Sequence, residues 1–255
     1  MMPERPVDGF DGEAARYEAI RPVPPEALID RLLEKGRLGP GSRVLEVGCG
    51  SGQATRLLAP HGLRLYAIDI GPRLLALART RLAPWPEVSF EQIAFEAFAS
   101  PEPFEAIVSV QAFHWIDPAI GLEKAARLLA PGGSLLLAWH LCASQTTGFY
   151  QATQPVYDRY QGNITGPDAV SAPARFTAEI SASPHFNDLS EDSFDWSLAY
   201  TRPEYLDLLR TFSDVQAMAQ TPREAFLAEI GALIDNFGGS IVRHYRSRLL
   251  TAYRC

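Results

Sequence analysis

Only three cysteines occur in 255 residues, Cys49, Cys142 and Cys255, and they lie far apart. An odd, scattered set forms no disulfide framework and fits a reducing compartment. No stretch approaches the roughly 18 uninterrupted apolar residues of a membrane span. The opening residues Met1-Met2-Pro3-Glu4-Arg5-Pro6 lack the apolar segment of a secretory signal. Positive charge is in deficit, 23 Lys and Arg against 30 Asp and Glu, for a formal net charge of -7. That balance argues against a nucleic-acid polyanion as the main partner. The five histidines do not cluster at ligand spacings, so no metal is expected. These absences lead to the expectation of a cytoplasmic protein with no membrane attachment; a monomer or homodimer is expected.

What is present is an ordinary globular balance, 47% apolar and 21% charged residues. The first ten residues are rich in proline and charge, and a helical spacing follows over 11–20. Arg21-Pro22-Val23-Pro24-Pro25 ends it, because proline cannot continue a helix. Pro25 then suits the first turn of a helix carrying Leu28, Ile29, Leu32 and Leu33, stopped by Gly36, Gly39 and Gly41.

From Arg43 strands and helices alternate. Strands are expected at Arg43–Val47, Leu63–Asp69, Val88–Gln92, Phe104–Val110 and Ser134–Trp139. Helices are expected from Gly52 to about Pro60, from Gly71-Pro72, and from Asp117-Pro118 up to Pro131-Gly132-Gly133. This rhythm implies an α/β fold with a mainly parallel sheet covered on both faces.

The rhythm breaks after His140. Gly148–Tyr160 reads as helix, and 162–184 as polar and broken by Pro167, Pro173 and Pro184. Ser193–Tyr200 alternates like a strand. Helices start at Arg202-Pro203 and Pro222, and Ile241–Tyr253 reads as extended. The simplest organisation is one domain over 1–255: N-terminal lid helices (1–40), a ligand-binding core (41–140), and a cap with the last strands (141–255). Aromatics crowd the cap from Phe149 to Phe226, and some of them would line a pocket.

The centre of the pattern is Val44-Leu45-Glu46-Val47-Gly48-Cys49-Gly50-Ser51-Gly52, a buried strand breaking into alternate glycines before a helix. Such a turn brings backbone close to a ligand. A dinucleotide fold would place a third small residue at position 53, where Gln53 stands, so a pyrophosphate reading is weakened. Asp69 ends the next strand, about where an acid hydrogen-bonds ribose hydroxyls. It also reads as a cap for the helix opened by Pro72. Ile70 could cover a purine face. Cys49 reads as a small apolar filler in the turn.

These residues resemble the class I S-adenosylmethionine-dependent methyltransferases. Besides the glycine turn, Ala67-Ile68-Asp69-Ile70 follows about 20 residues on, and Arg127-Leu128-Leu129-Ala130-Pro131-Gly132-Gly133 resembles that family's segment before strand 5. Gln111-Ala112-Phe113-His114-Trp115 and the upstream Tyr17 with Arg21-Pro22 resemble a small-molecule branch, the trans-aconitate methyltransferase-like proteins. The resemblance covers about residues 10–140. It implies a Rossmann-like seven-stranded, mostly parallel sheet, the last strand antiparallel, with a helical cap insertion. It also implies S-adenosylmethionine as cofactor, S-adenosylhomocysteine as product and a small-molecule acceptor.

The same resemblance places Gly48, Cys49, Gly50 and Gly52 under the methionine and ribose. Glu46 would support the turn or meet the methionine amine. Asp69 would hold the ribose, and Gln111 and Ala112 would border the methionine. The strand 3 exit at Ala94-Phe95 would reach adenine through backbone, since the Asp or Asn common there is missing. Methyl transfer from a sulfonium needs positioning and desolvation of the nucleophile, and for some acceptors a base. His114 is the candidate catalytic base or orienter, with a purely structural hydrogen-bonding role as its alternative. If strands 4 and 5 are neighbours, His114-Trp115 and Trp139-His140 would both face the substrate, with Tyr17 and Arg21 as a lid. For Trp115 and Trp139 packing is the competing reading. A non-catalytic cofactor-binding protein and an NAD(P)-dependent oxidoreductase are the rival classes.

Overall fold

The computed structural model describes residue 20 and residues 22–143, 148–160 and 171–255. Tyr17, Arg21 and Pro167 lie outside them. One seven-stranded sheet runs through the molecule, made of β1 (Arg43–Val47), β2 (Arg64–Asp69), β3 (Val88–Gln92), β4 (Phe104–Val110), β5 (Leu129–Cys142), β6 (Phe186–Thr201) and β7 (Ser240–Arg254). Their spatial order is β3-β2-β1-β4-β5-β7-β6. The first five are mutually parallel, and β7 runs antiparallel to both neighbours. The expected seven-stranded, mostly parallel sheet with its last strand antiparallel is the observed one.

Central strands carry near-continuous apolar runs because both faces are covered. Every residue of β1 is buried, as are Ser134–His140 of β5. One face packs against α1 (Glu26–Gly36), through Leu28, Leu32, Val44, Val108, Leu136 and Ala138. The opposite face meets α4 (Pro118–Leu128) and α6 (Ala172–Ala182), through Leu45, Ile107, Leu137, Trp139 and Phe176. Between them in sequence come α2 (Thr55–Leu58) with a 3-10 turn (Ala59–His61), and α3 (Pro72–Arg81). The helix over Gly52–Pro60 is thus only four α-helical residues and one tighter turn.

Local chemistry explains the element ends. Asp117 accepts from the N–H groups of Ala119 and Ile120, capping α4, with Pro118 in its first turn. Pro131-Gly132-Gly133 does not precede β5 but lies within it. The register against β4 shifts between Phe104 and Ala106, and Gly133 sits where a Cβ would fall 2.9 Å from the Ala130 carbonyl. Helix α4 therefore stops at Leu128, and the glycines bulge the strand.

Two corrections concern the chain after His140. The segment read as polar and broken contains α6, with Pro173 in its first turn, where a missing N–H costs nothing, and with Pro184 beyond its end. Second, the cap is not one insertion. Strand β6 divides it, and α6 belongs to the core layer. The cap proper is α5 (Phe149–Tyr160), α7 (Arg202–Arg210), α8 (Ser213–Ala217) and α9 (Gln220–Asn236). These share an aromatic core, including Phe149, Tyr205 and Phe226, with Tyr200 of β6 and Tyr245 of β7. Strand β6 is the sheet edge and alternates exposed with half-buried residues. Its outer face is charged, with Asp195 and Glu191 forked onto Arg246 and Arg248, a pattern that blunts edge pairing.

Candidate functional site

The glycine turn joins β1 to α2 at the carboxyl end of the sheet, where open α/β folds bind ligands. Gly48, Gly50 and Gly52 all have positive φ, 72°, 56° and 85°. Their surroundings differ. A Cβ on Gly48 would lie 2.2 Å from the Ala112 Cβ, and one on Gly52 2.8 Å from Leu82. A Cβ on Gly50 would meet nothing within 4 Å. Gly48 and Gly52 are thus glycine for packing, whereas Gly50 borders open space.

The backbone donors of this turn are already used. The N–H groups of Gly48 and Cys49 bond the Ile68 carbonyl at 2.9 and 3.1 Å, and Gly52 N–H bonds the Cys49 carbonyl at 2.9 Å. Gly50 N–H donates to Asp69 Oδ2 at 2.8 Å. The turn therefore does not offer these donors to a phosphate, which removes the physical basis of a pyrophosphate cradle.

Asp69 binds the turn together. Its other oxygen accepts from Gly71 N–H at 2.8 Å, at the start of α3. Asp69 is not the cap of α3: that position is Gly71, which has no side-chain cap, and the carboxylate instead ties the glycine turn to the residue before the helix. Cys49 is buried, and burial raises its thiol well above the ordinary range, so it is an inert filler.

Glu46 is buried on β1 among apolar residues, and its Oε2 has no hydrogen-bond partner. Burial raises its pKa to about 7; the neighbouring Thr55 opposes the rise, and the charge of Asp69 adds to it. On the neighbouring strand, Gln111 follows β4 with φ 62°, an unusual conformation for a residue with a side chain. Its Nε2 donates to the His140 carbonyl at 3.1 Å, while its Oε1 is buried without a partner. Two unsatisfied acceptors thus stand beside the turn, one on β1 and one just past the end of the adjacent β4, a feature no sequence pattern announced.

At the β3 exit, Ala94 is half-buried, but Phe95 is in the core, 5.7 Å from Phe113. Only backbone is presented there. Ile70 is half-buried next to Asp69, and its carbonyl accepts from Gln92.

The two His-Trp pairs separate. Strands β4 and β5 are neighbours, yet successive residues of a strand point to opposite faces. Trp139 turns toward α4 and α6, is fully buried, and stacks on Phe176 at 5.6 Å. Its Nε1 donates to His114 Nδ1 at 3.2 Å. His140 turns the other way, where Ser247 Oγ lies 2.7 Å from its Nδ1 and Trp196 meets it edge-on. Trp139 is thus an interior packing residue and does not reach a substrate. Trp115 is half-buried, its ring 5.2 Å from that of His114.

The Trp139 contact also constrains His114. An indole N–H only donates, so Nδ1 must be unprotonated and the neutral ring carries its proton on Nε2. In this tautomer His114 is a hydrogen-bond donor, not a base at Nε2. Among the described residues, no group of three or more His, Cys, Asp or Glu could hold a metal ion, and no helix is long and apolar enough to cross a membrane.

Comparison with known proteins agrees with this geometry. Residues 45–137 match the family described as "Methyltransferase domain". An uncharacterised methyltransferase-like protein of Schizosaccharomyces pombe is 28% identical over 225 residues, 87% of this chain and 84% of that one. An uncharacterised methyltransferase of Mycobacterium tuberculosis is 35% identical over 131 residues, about half of each chain at 51%. Among solved structures, an S-adenosylmethionine-dependent methyltransferase of Geobacter sulfurreducens in complex with S-adenosylhomocysteine shares the fold over 100% of both chains, with a TM-score of 0.56 and 18% identity. The turn with its spent donors, the strand-end carboxylate, the matched segment and the seven-stranded sheet agree. Residues 45–137 thus carry a methyltransferase domain, within a sheet that has the fold of the methyltransferase structures it matches.

Proposed function

We propose that this protein transfers a methyl group from S-adenosylmethionine to a small-molecule acceptor, in the manner of the trans-aconitate methyltransferase-like branch. The observation that carries the reading is the cradle formed by Glu46, Gly50, Asp69 and Gln111. Open space at Gly50 lets a ligand lie against backbone. The partnerless acceptors Glu46 Oε2 and Gln111 Oε1 suit the ammonium of an amino-acid end. Asp69, acceptor-only and at the end of β2, suits a vicinal diol and repels a 2′-phosphate. Ile70 and the Ala94-Phe95 backbone would border the purine.

The sulfonium of the cofactor, when bound, supplies an activated methyl group. The chain's own task is to align and desolvate the acceptor. His114 would donate from Nε2 to an acceptor oxygen or nitrogen and so fix its orientation. Cap helices α5, α7 and α9 pack over the β6–β7 end of the sheet and would exclude water. Trp115 and the lid residues Tyr17 and Arg21 remain assigned to the acceptor side.

Isothermal titration with S-adenosylmethionine, S-adenosylhomocysteine and NAD tests this. Binding of the first two, without NAD binding, is expected. NAD binding without sulfonium binding would sink the reading.

A further inference from the structure

Strand β7 carries three arginines near its start, and they are treated differently. Arg246 and Arg248 point to the outer face and are forked onto Asp195 and Glu191. Arg243 points to the other face, into the cap, and no described carboxylate lies within ion-pair distance of it. Its Nη1 donates to Tyr205 Oη at 3.1 Å, and its Nε is buried without a partner. Its guanidinium lies 5.3 Å from the Phe212 ring centre, 5.4 Å from Tyr245 and 5.9 Å from Tyr205. Burial pushes the phenols of the nearby Tyr150, Tyr157 and Tyr245 above their usual range, so they stay neutral. The guanidinium keeps its charge at all relevant pH. A permanent cation walled by neutral rings, with no counter-ion among the described residues, is costly unless something anionic arrives.

The same sheet face holds a second unspent donor. Ser247 Oγ accepts from Trp196 Nε1 at 2.8 Å, and it lies beside His140 Nδ1. These bonds are all satisfied when the serine hydroxyl donates to Nδ1, which puts the ring proton on Nε2. That Nε2 is buried and partnerless. Trp196 stacks on Tyr245 at 4.6 Å, linking His140 to the Arg243 cluster. His140 in turn holds Gln111 through its carbonyl. Strand pairing sets Ser247 opposite His140 and Tyr245 opposite Cys142, so Arg243 lies just past the end of β5, on the acceptor side of the turn.

We propose that Arg243 is a specificity residue that receives a carboxylate of the methyl acceptor within the tyrosine-walled cap, with His140 Nε2–H as a second donor along the same face. The inference rests on the methyltransferase reading. A single guanidinium matches one negative charge, which favours a carboxylate over a doubly charged phosphate. A carboxylate so held has its lone pairs engaged, so it anchors the acceptor and another atom takes the methyl group.

The test is titration of the full-length protein, pre-loaded with S-adenosylhomocysteine, with 3-phenylpropanoate, 3-phenylpropanamide and 2-phenylethyl phosphate. The carboxylate is expected to bind at least tenfold more tightly than the amide and the phosphate. Arg243→Met should abolish that preference, and Arg243→Lys should keep part of it, both with S-adenosylhomocysteine affinity within twofold of wild type. Equal binding of acid and amide, tighter binding of the phosphate, or an unchanged preference in Arg243→Met each overturns the proposal. Failure of the wild type to bind S-adenosylhomocysteine instead overturns the methyltransferase reading. Retained cofactor binding in the variants shows that they fold.

Discussion

Trp139 Nε1 donates to His114 Nδ1 at 3.2 Å, across 25 residues of sequence, from inside the packed layer between the sheet and α6. The indole fixes which nitrogen of the histidine carries the proton. Trp139→Phe should release the tautomer while keeping most of the packing. A loss of about 1–3 kcal/mol in stability is expected from the removed donor and the small void. Nitrogen-detected NMR of His114 should show protonation at Nε2 in the wild type and a tautomer mixture in the variant. A wild-type proton on Nδ1 contradicts the assignment. His114→Ala should lower turnover while cofactor affinity holds.

Asp69 ties the glycine turn to α3 through Gly50 and Gly71. Asp69→Ala should therefore weaken both the fold and the cofactor. Roughly 1.5–3 kcal/mol is expected in each, the scale of hydrogen bonds to a charged group. Chemical denaturation and cofactor titration read the two losses separately. A stability loss with unchanged cofactor affinity would confine Asp69 to its structural role.

The glycines of the turn separate packing from access. Gly48→Ala drives a Cβ to 2.2 Å from Ala112 at positive φ, and should cost about 3 kcal/mol or more. Gly50→Ala meets open space, so its cost should be only the left-handed backbone term of about 1–2 kcal/mol, while cofactor affinity falls steeply. Equal stability losses in the two variants would contradict this division.

Glu46 has a folded-state pKa of about 7 against an ordinary value of 4.5, chiefly because it is buried. A raised carboxyl pKa means that the folded state holds its proton longer than the unfolded chain does. Its contribution is full below pH 4.5, falls as pH rises, and is lost above about 7. Glu46→Gln should remove that slope, which is on the order of 3 kcal/mol between those limits. Urea unfolding at several pH values measures it. Binding of a cofactor ammonium near Glu46 should release a proton at pH 6–7. Titration in buffers of different ionisation enthalpy detects it, and no proton release would separate Glu46 from the amine.

Much of this was legible from the residues. The boundaries of β1 and β4 follow from apolar runs bounded by Gly48, Pro103 and Gln111, because buried parallel strands need continuous apolar residues, whereas β3 at the edge alternates. Pro118 after Asp117 marks the start of α4 for a local reason, the chemistry of its first turn. Helix α6 was hidden because three prolines suggested breaks, although Phe176 and Ile180 stand at helical spacing behind Pro173. The His-Trp pairs misled because adjacency in sequence hides the alternation of a strand, which sends Trp139 and His140 to opposite faces.

By itself the sequence determined the glycine turn, the strand-end Asp69 and the alternation of strands and helices. These are local properties, set by backbone freedom, apolar runs and capping residues within a few positions. Tertiary structure alone decided that the turn's donors are spent on Ile68, Cys49 and Asp69. It also decided that Glu46 and Gln111 keep free oxygens, that Trp139 holds His114 in one tautomer, and that Arg243 stands in the cap without a counter-ion among the described residues. Each of these depends on which groups meet across the sheet. Hydrogen-bond satisfaction and charge compensation are properties of neighbours in space, which spacing along the chain does not encode.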